Sequence, residues 1–356
     1  MPQAEIAFDD LASLDDLDRM IASLGLSGTN LRMVKDGKPL QPSAYTRKPG
    51  TGSRGTDPVV SAPLVYECFN AGATIVLESL HRYWQPLTDF SRDLELALGH
   101  RLQVNAYITP PGSQGFDVHR DSHDVFVLQV SGAKHWLVYD RDEQDVVLID
   151  QPLESGAALY IPLGFPHAAK ATAVASAHLT VGILTHESIE VFRQLVALAE
   201  REPAFKERLP VGVAHEPSAL RSLVENQLDE VRSWLDKVDV DELAMRVAAK
   251  VASSKQPIVR GQLRQFEALE HITEDTEVEQ RRGAICLLFP QDSILKVMLV
   301  DRVLEMPLGI RPAMEMIAQQ GRLRVSDLHE FLEPASAIVL VRRLVREGLL
   351  EVILDH

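Results

Sequence analysis

Short apolar runs follow one another from Thr74 to about Gly182, each closed by glycine, proline or serine. They are Thr74-Ile-Val-Leu77, Val104-Asn-Ala-Tyr-Ile108, Val125-Phe-Val-Leu-Gln-Val130, Trp136-Leu-Val-Tyr139, Val146-Val-Leu-Ile149, Ala158-Leu-Tyr-Ile161 and His178-Leu-Thr-Val-Gly-Ile183. Runs of this length between turn formers read as strands, and many in close succession define a sandwich or barrel. One helical pattern, roughly Leu87 to Leu98, interrupts them. The expectation is a double-stranded β-helix, or jelly roll.

On either side the periodicity differs. Residues 1–56 read as an adapter: Asp15 to Leu26 carries a helical apolar pattern (Leu17, Met20, Ile21, Leu24), and the chain then turns polar and basic. There Arg32, Lys35, Lys38, Arg47, Lys48 and Arg54 face only Asp36 among acids. The stretch from Pro49 to Pro58 is rich in glycine and reads as a loop, either a flap or a solvated connector. After Thr185, Ile189, Phe192, Leu195, Val196 and Ala199 define a helix stopped near Pro203. Leu220, Leu223, Val224, Leu228, Val231, Trp234, Leu235 and Val238 define a longer amphipathic one, and Leu243 to Val251 a third. A wide apolar face suits burial against a second subunit, hence a homodimer, or against the chain's own barrel.

From about Pro257 helix and strand mix. Arg311–Gln320, Val325–Phe331 and Ala335–Glu347 read as short helices and Leu349–Leu354 as a strand, the order of a winged helix. Residues 305–356 hold six arginines and no lysine against eight acids. That balance repels phosphates, so direct DNA binding is not expected and the segment reads as a structural or protein-docking winged helix.

A chain of 356 residues accommodates two or three domains. No apolar run approaches the ~18 residues a membrane span needs. The acidic start lacks the basic region and apolar stretch of a secretory signal. Cys68 and Cys286 lie far apart, which excludes a disulfide framework or thiolate metal site and points to a reducing cytoplasm. The net charge of −15 argues against nucleic acid as principal partner. It suits a basic protein or peptide, drawn by the summed field, and it equally suits an acidic protein that merely stays soluble.

The chemistry concentrates between Asn105 and Trp136. His119 and Asp121 are one residue apart, which on a strand puts an imidazole and a carboxylate on one face. His167, in Tyr160-Ile-Pro-Leu-Gly-Phe-Pro-His167, closes a strand and turn further on and is the natural third member. Two histidines and one carboxylate on a triangular face leave open positions, the arrangement of non-haem Fe(II) oxygenases. A rival is a zinc site from His119 and His123, but along a strand those positions stand about 13 Å apart. His123 then reads as a hydrogen-bonded rim residue. Lys134, just past Ser131-Gly132, is either a surface lysine of a hairpin turn or a cation entering the barrel, which is costly unless paired. Tyr107 and Asn105 read equally as satisfied polar groups of a strand, and no role follows for His81, His100 or His135.

The run Asn105–Trp136 resembles the JmjC-type, cupin-like ribosomal oxygenases of the cupin superfamily. Members hydroxylate ribosomal protein side chains using Fe(II), with 2-oxoglutarate and O2 as co-substrates. The resemblance spans most of the chain and implies an α+β protein: a JmjC/cupin barrel with its adapter at 1–187, a helical dimerisation segment at 188–256 and a C-terminal winged helix at 257–356. It implies that His119, Asp121 and His167 are the iron ligands and that Lys134 anchors the distal carboxylate of 2-oxoglutarate. Tyr107 corresponds to the phenol sharing that carboxylate, Asn105 to a residue lining the same pocket, and His178 and Thr180 to the later strand bordering the co-substrate. A dianion of this kind needs a buried cation and a paired hydroxyl donor, which Lys and Tyr supply. The sequence departs from many relatives in having Gly156-Ala157 where Gly-Asp is common, Leu163 where a basic residue is common, and Arg120 between the ligands. These departures leave the ligands intact and bear on the choice of substrate: a ribosomal or other basic protein, or a small molecule or biosynthetic peptide. A metal cupin without oxygenase activity, or a scaffold, is the reading from another class.

Overall fold

The computed structural model describes residues 8–48, 58–143 and 145–354. The 49–57 part of the loop read from sequence, with Arg54, lies outside them. The chain divides into two compact units, residues 1–185 and 186–356.

In the first unit, α1 (Leu14–Ser23) opens on a capping box. The Asp16 amide donates to Ser13 Oγ at 3.1 Å and the Ser13 amide donates to Asp16 Oδ2 at 3.1 Å. The helix buries Leu17, Met20 and Ile21, whereas Leu24, expected on that face, follows its end and is exposed. The strands are β1 (Leu31–Lys35), β2 (Lys38–Pro39), β3 (Thr46–Arg47), β4 (Val59–Val60), β5 (Thr74–Leu77), β6 (Arg101–Thr109), β7 (Asp124–Ser131), β8 (Ala133–Tyr139), β9 (Val147–Glu154), β10 (Ala158–Ile161), β11 (His167–Ala171) and β12 (Ser176–Leu184), with α2 (Ala62–Asn70) and α3 (Gln85–Leu98) between them. All pairings are antiparallel, in a large sheet ordered β10-β7-β12-β6-β5-β1-β2 and a small one ordered β11-β8-β9. This is the jelly roll expected from the sequence.

Strand alternation decides what each face of the large sheet does. From β6 and β12, Leu102, Val104, Ala106, Leu179 and Val181 point outward into a core shared with Leu17, Met20 and Leu87 of the helices. The intervening Tyr107, His178 and Thr180 point inward. There Val125, Val127 and Ile161 meet Trp136, Val138 and Leu153 of the small sheet in a second, smaller core. The outer face is thus sealed by apolar packing, and the inner face is free to carry polar groups. Gly132 turns β7 into β8 at φ +64°, where any side chain would collide with the Ala175 carbonyl.

Three features depart from the sequence reading. Residues 31–35, read as part of a basic tract, form a core strand paired with β5; its alternation, with Leu31 and Met33 in the outer core and Arg32 between them facing the cavity, was masked by the surrounding charges. His167 opens β11 instead of closing a strand. His119 and Asp121 lie in the connection between β6 and β7, which is tied to β11 by isolated bridges of Gln114 to Lys170 and His119 to His167 and not by a continuous strand.

The second unit comprises α4 (Ile189–Ala199), α5 (Pro217–Leu235), α6 (Val240–Ser253), α7 (Gln262–Ala268), β13 (Glu277–Gln280), β14 (Leu287–Gln291), β15 (Ile294–Met298), β16 (Val303–Pro307), α8 (Arg311–Gln320), β17 (Arg322–Arg324), α9 (Pro334–Arg346) and β18 (Leu350–Val352). Two three-stranded sheets, β17-β13-β18 and β14-β15-β16, pack with α8 and α9 around Val278, Leu295, Met314, Ile317, Val341 and Leu344. The segment expected as a helix at Val325–Phe331 is a 3-10 turn over Val325–Glu330. Among the described residues no helix is long and apolar enough to cross a membrane.

Candidate metal centre

His119, Asp121 and His167 converge, each offering one donor atom, with those atoms within 4.8 Å of one another. Reciprocal backbone bonds between His119 and His167, at 3.1 and 2.9 Å, stitch the β6–β7 connection to the start of β11. The rings lie 4.4 Å apart. Each imidazole has its Nδ1 against the carbonyl two residues earlier: His119 on Asp117 at 2.9 Å and His167 on Phe165 at 3.0 Å. A carbonyl can only accept, so each Nδ1 carries the proton and each Nε2 keeps its lone pair. Those Nε2 atoms face the carboxylate, 3.9 Å from Asp121 Oδ1 for His119 and 3.5 Å from Asp121 Oδ2 for His167. Burial, with the neighbouring His119, holds the His167 imidazole below its ordinary pKa; the neutral form is the one a metal takes. The side chains of His119 and Asp121 remain 42% and 31% exposed, so the triangle is open on one side.

Behind it lies a cavity of about 150 Å³. Lys134 enters from β8, 3% exposed, and its ammonium donates to Thr109 Oγ1 at 3.1 Å. The hairpin-surface alternative for Lys134 is thereby excluded. No carboxylate among the described residues pairs with it, and burial pushes its pKa down to about 7. His178 is buried, stacked on Tyr107 with centroids 5.0 Å apart and planes 4° apart, and its Nδ1 has no partner. Burial and the Lys134 charge push its pKa well below normal, so its ring is neutral. The buried Trp136 N–H, from a ring set edge-on to His178, likewise has no acceptor. Burial raises the Tyr107 pKa, which keeps the phenol a neutral donor. Unsatisfied buried polar groups each cost about 1–3 kcal/mol, so their gathering around one cavity with an unpaired ammonium marks a place for an anion. A metal triangle at one end and a cation with spare donors at the other fit a dianion that chelates through one end and is anchored at the other.

Of the residues singled out from sequence, Tyr107, His119, Asp121, Lys134, His167, His178 and Thr180 all line this cavity. Asn105 does not. It lies one repeat further along β6, and its Oδ1 accepts from the Ser79 amide at 2.9 Å, holding a residue with φ 58°. His123 is not in the cluster: its ring rests against Gly182 of β12, where a side chain would strike it. The zinc reading therefore finds no support. His81 is structural, its Nδ1 accepting from the Val104 amide at 3.1 Å, and burial depresses its pKa to about 4. The sequence reading missed Arg32, Phe116 and Trp136. Arg32 pairs with Glu78 at 2.5 Å and sits 5.2 Å over the Phe116 ring at the wall. Two-residue alternation in Leu31-Arg-Met was the available signal.

Residues 82–191 match the family model of the JmjC domain. The chain is 31% identical over 164 residues to ribosomal oxygenase 1 of Gallus gallus, covering 41% of this chain. It is 26% identical over 230 residues, or 55% of this chain, to the bifunctional lysine-specific demethylase and histidyl-hydroxylase NO66 of Drosophila simulans. Each match takes in only 27% of the relative's own length. In fold it is similar to YcfD, a ribosomal oxygenase from Escherichia coli solved with cobalt and 2-oxoglutarate: TM-score 0.57 at 20% identity, over 96% of this chain and 91% of that one. The resemblance to JmjC-type ribosomal oxygenases read from residues 105–136 is thus borne out.

The unpaired ammonium makes a prediction with a definite sign. Between about pH 7 and 10.5 the unfolded chain keeps the Lys134 proton while the folded chain has lost it. Stability on this account rises with pH across that window, and below it the cost of burying the charge is felt in full. Lys134→Met should therefore raise the melting temperature of the ligand-free protein at pH 7, with the gap to wild type closing towards pH 10. A variant less stable than wild type at pH 7, by a margin indifferent to pH, would mean the charge is compensated within the fold.

Proposed function

We propose that this chain is an Fe(II)- and 2-oxoglutarate-dependent oxygenase that hydroxylates a protein side chain, foremost on a ribosomal protein. The observation carrying the reading is the single cavity with the His119–Asp121–His167 triangle at its mouth and the unpaired Lys134 ammonium in its wall. His119, Asp121 and His167 would hold Fe(II), two neutral imidazoles and one carboxylate leaving positions free. Lys134, with the Tyr107 phenol, would hold the distal carboxylate of 2-oxoglutarate, and Thr180 and His178 would border it. Bound iron with 2-oxoglutarate and O2 supplies the oxidising power for inserting oxygen into a C–H bond. The chain's own part is to fix the imidazole tautomers through Asp117 and Phe165, keep His178 neutral beside the co-substrate, and exclude water with Val125, Val127, Trp136 and Ile161.

Two features favour a basic protein as substrate. The chain carries a net charge of −15, and its named relatives include ribosomal oxygenases. The test is to incubate the protein with Fe(II), 2-oxoglutarate, O2 and intact ribosomal proteins and to measure masses. A gain of one oxygen on a ribosomal protein, absent in Asp121→Ala, is expected. A gain confined to free amino acids or small peptides would replace this reading with the small-molecule one. Loss of a methyl group in place of oxygen gain would make the activity demethylation. Metal binding with no turnover on any of them would leave a non-catalytic cupin.

We further propose that 188–256 is a dimerisation segment and 257–356 a winged helix that docks protein and not DNA. No side chain of α5 is buried within the chain, although Leu220, Val224, Leu228 and Leu235 lie along it. Phe192 and Val196 of α4 are 62% and 59% exposed. Apolar stripes of this extent are covered in stable proteins, and a second copy is the cover we assign. Light scattering should give twice the chain mass, and the double substitution Val224→Glu with Leu228→Glu, which puts two charges on the stripe, should halve it; a wild-type monomer would exclude the dimer. The free thiols of Cys68 and Cys286 suit a reducing cytoplasm.

A further inference from the structure

The connection carrying His119 and Asp121 belongs to no strand, yet it must hold both side chains at a fixed distance from His167. Backbone bonds to His167 fix His119, but Asp121 lies two residues beyond that bridge. What reaches across is Arg120. Its Nη1 donates to the Gly164 carbonyl at 2.7 Å and to the Arg141 carbonyl at 2.9 Å. In return the Gly164 amide donates to the Asp121 carbonyl at 3.1 Å. Both backbone groups of Gly164 are thus engaged by residues 120 and 121. Gly164 holds φ +81°, in the left-handed region that favours glycine, and it stands in the turn that delivers His167.

We propose that Arg120 is a positioning residue for this cluster: it clamps the ligand-bearing connection onto the 162–166 turn and the connection that follows β8, and so sets the spacing of Asp121 from His167. The inference rests on the metal reading above. Electrostatics alone gives Arg120 the opposite effect, because a guanidinium beside the cluster repels a divalent cation and its loss would tighten binding. Positioning predicts weaker binding, so the two roles differ in sign. Both bonds leave one nitrogen, Nη1, so a lysine ammonium, with three donors on its single nitrogen, can restore part of the clamp where its shorter stem reaches.

The experiment is titration of the metal-free full chain with Co(II) by calorimetry, with the visible spectrum of bound Co(II) as a second readout. Removing an outer partner of a metal ligand typically weakens affinity about 10–100-fold. Arg120→Ala is expected to weaken Co(II) binding at least about tenfold and to alter the Co(II) band, and Arg120→Lys to recover part of the affinity. Arg141→Ala, which removes a neighbouring charge but leaves the backbone acceptor in place, is expected to bind as wild type does. Wild-type affinity or tighter binding in Arg120→Ala would overturn the proposal while leaving the metal reading intact. Equal weakening in Arg141→Ala would also overturn it. A wild-type protein that takes up no Co(II) would overturn the metal reading and this inference with it.

Discussion

The site depends on the alternation of side chains along β6 and β12. These adjacent strands send one set of residues outward and the other inward, and the outward set is entirely apolar at Leu102, Val104, Ala106, Leu179 and Val181. Burying the four leucine and valine side chains among them contributes on the order of 1.5–3 kcal/mol each. That outer core fixes the register in which Tyr107 faces His178 and Asn105 faces Thr180. A one-residue slip of these strands would turn Tyr107, His178 and Thr180 into the helix-covered core. Polar residues can stand on the inner face because the outer face already holds the sheet together.

The inner face is then free to be unfavourable for folding. A fall of the Lys134 pKa from 10.5 to about 7 corresponds to roughly 5 kcal/mol of disfavoured charge. Whole domains are stable by about 5–15 kcal/mol, so a side chain this costly persists only where something outside the fold rewards it. The unpartnered His178 Nδ1 and Trp136 N–H lie in the same wall. A carboxylate arriving there would supply the counter-charge and acceptors the chain withholds. At the mouth the opposite strategy holds: Asp117, Phe165 and Gly164 backbone groups satisfy the ligand histidines and their connection in advance, so the tautomers and the backbone that carries them are set before a metal enters.

Much of this was legible in the sequence because it rests on local pattern. Alternating apolar strands with turn punctuation revealed the barrel, and β5 and β10 fall on the residues expected for them. The His-x-Asp pair was legible as chemistry, although its reason was misplaced. The two side chains converge through a bridge to His167 and a clamp on Gly164, not through strand alternation. Long-range contacts explain the remaining misses. Whether Lys134 points into the barrel or out depends on how Gly132 turns the chain against Ala175, and Asn105 is diverted by Ser79, a residue far off in sequence. Arg32 was hidden because a short strand between charged residues gives almost no periodic signal, and its place in the wall is set by pairing with β5.

The central claim is that one cavity holds a metal ion and a chelating dianion together. Anaerobic addition of Fe(II) and then 2-oxoglutarate to the metal-free protein tests it most directly, through the visible charge-transfer band of the chelate. The account predicts a band in the wild type that vanishes in His167→Ala and needs far more 2-oxoglutarate in Lys134→Ala. Iron binding without any such band, or a band unchanged in the Lys134 variant, would contradict it.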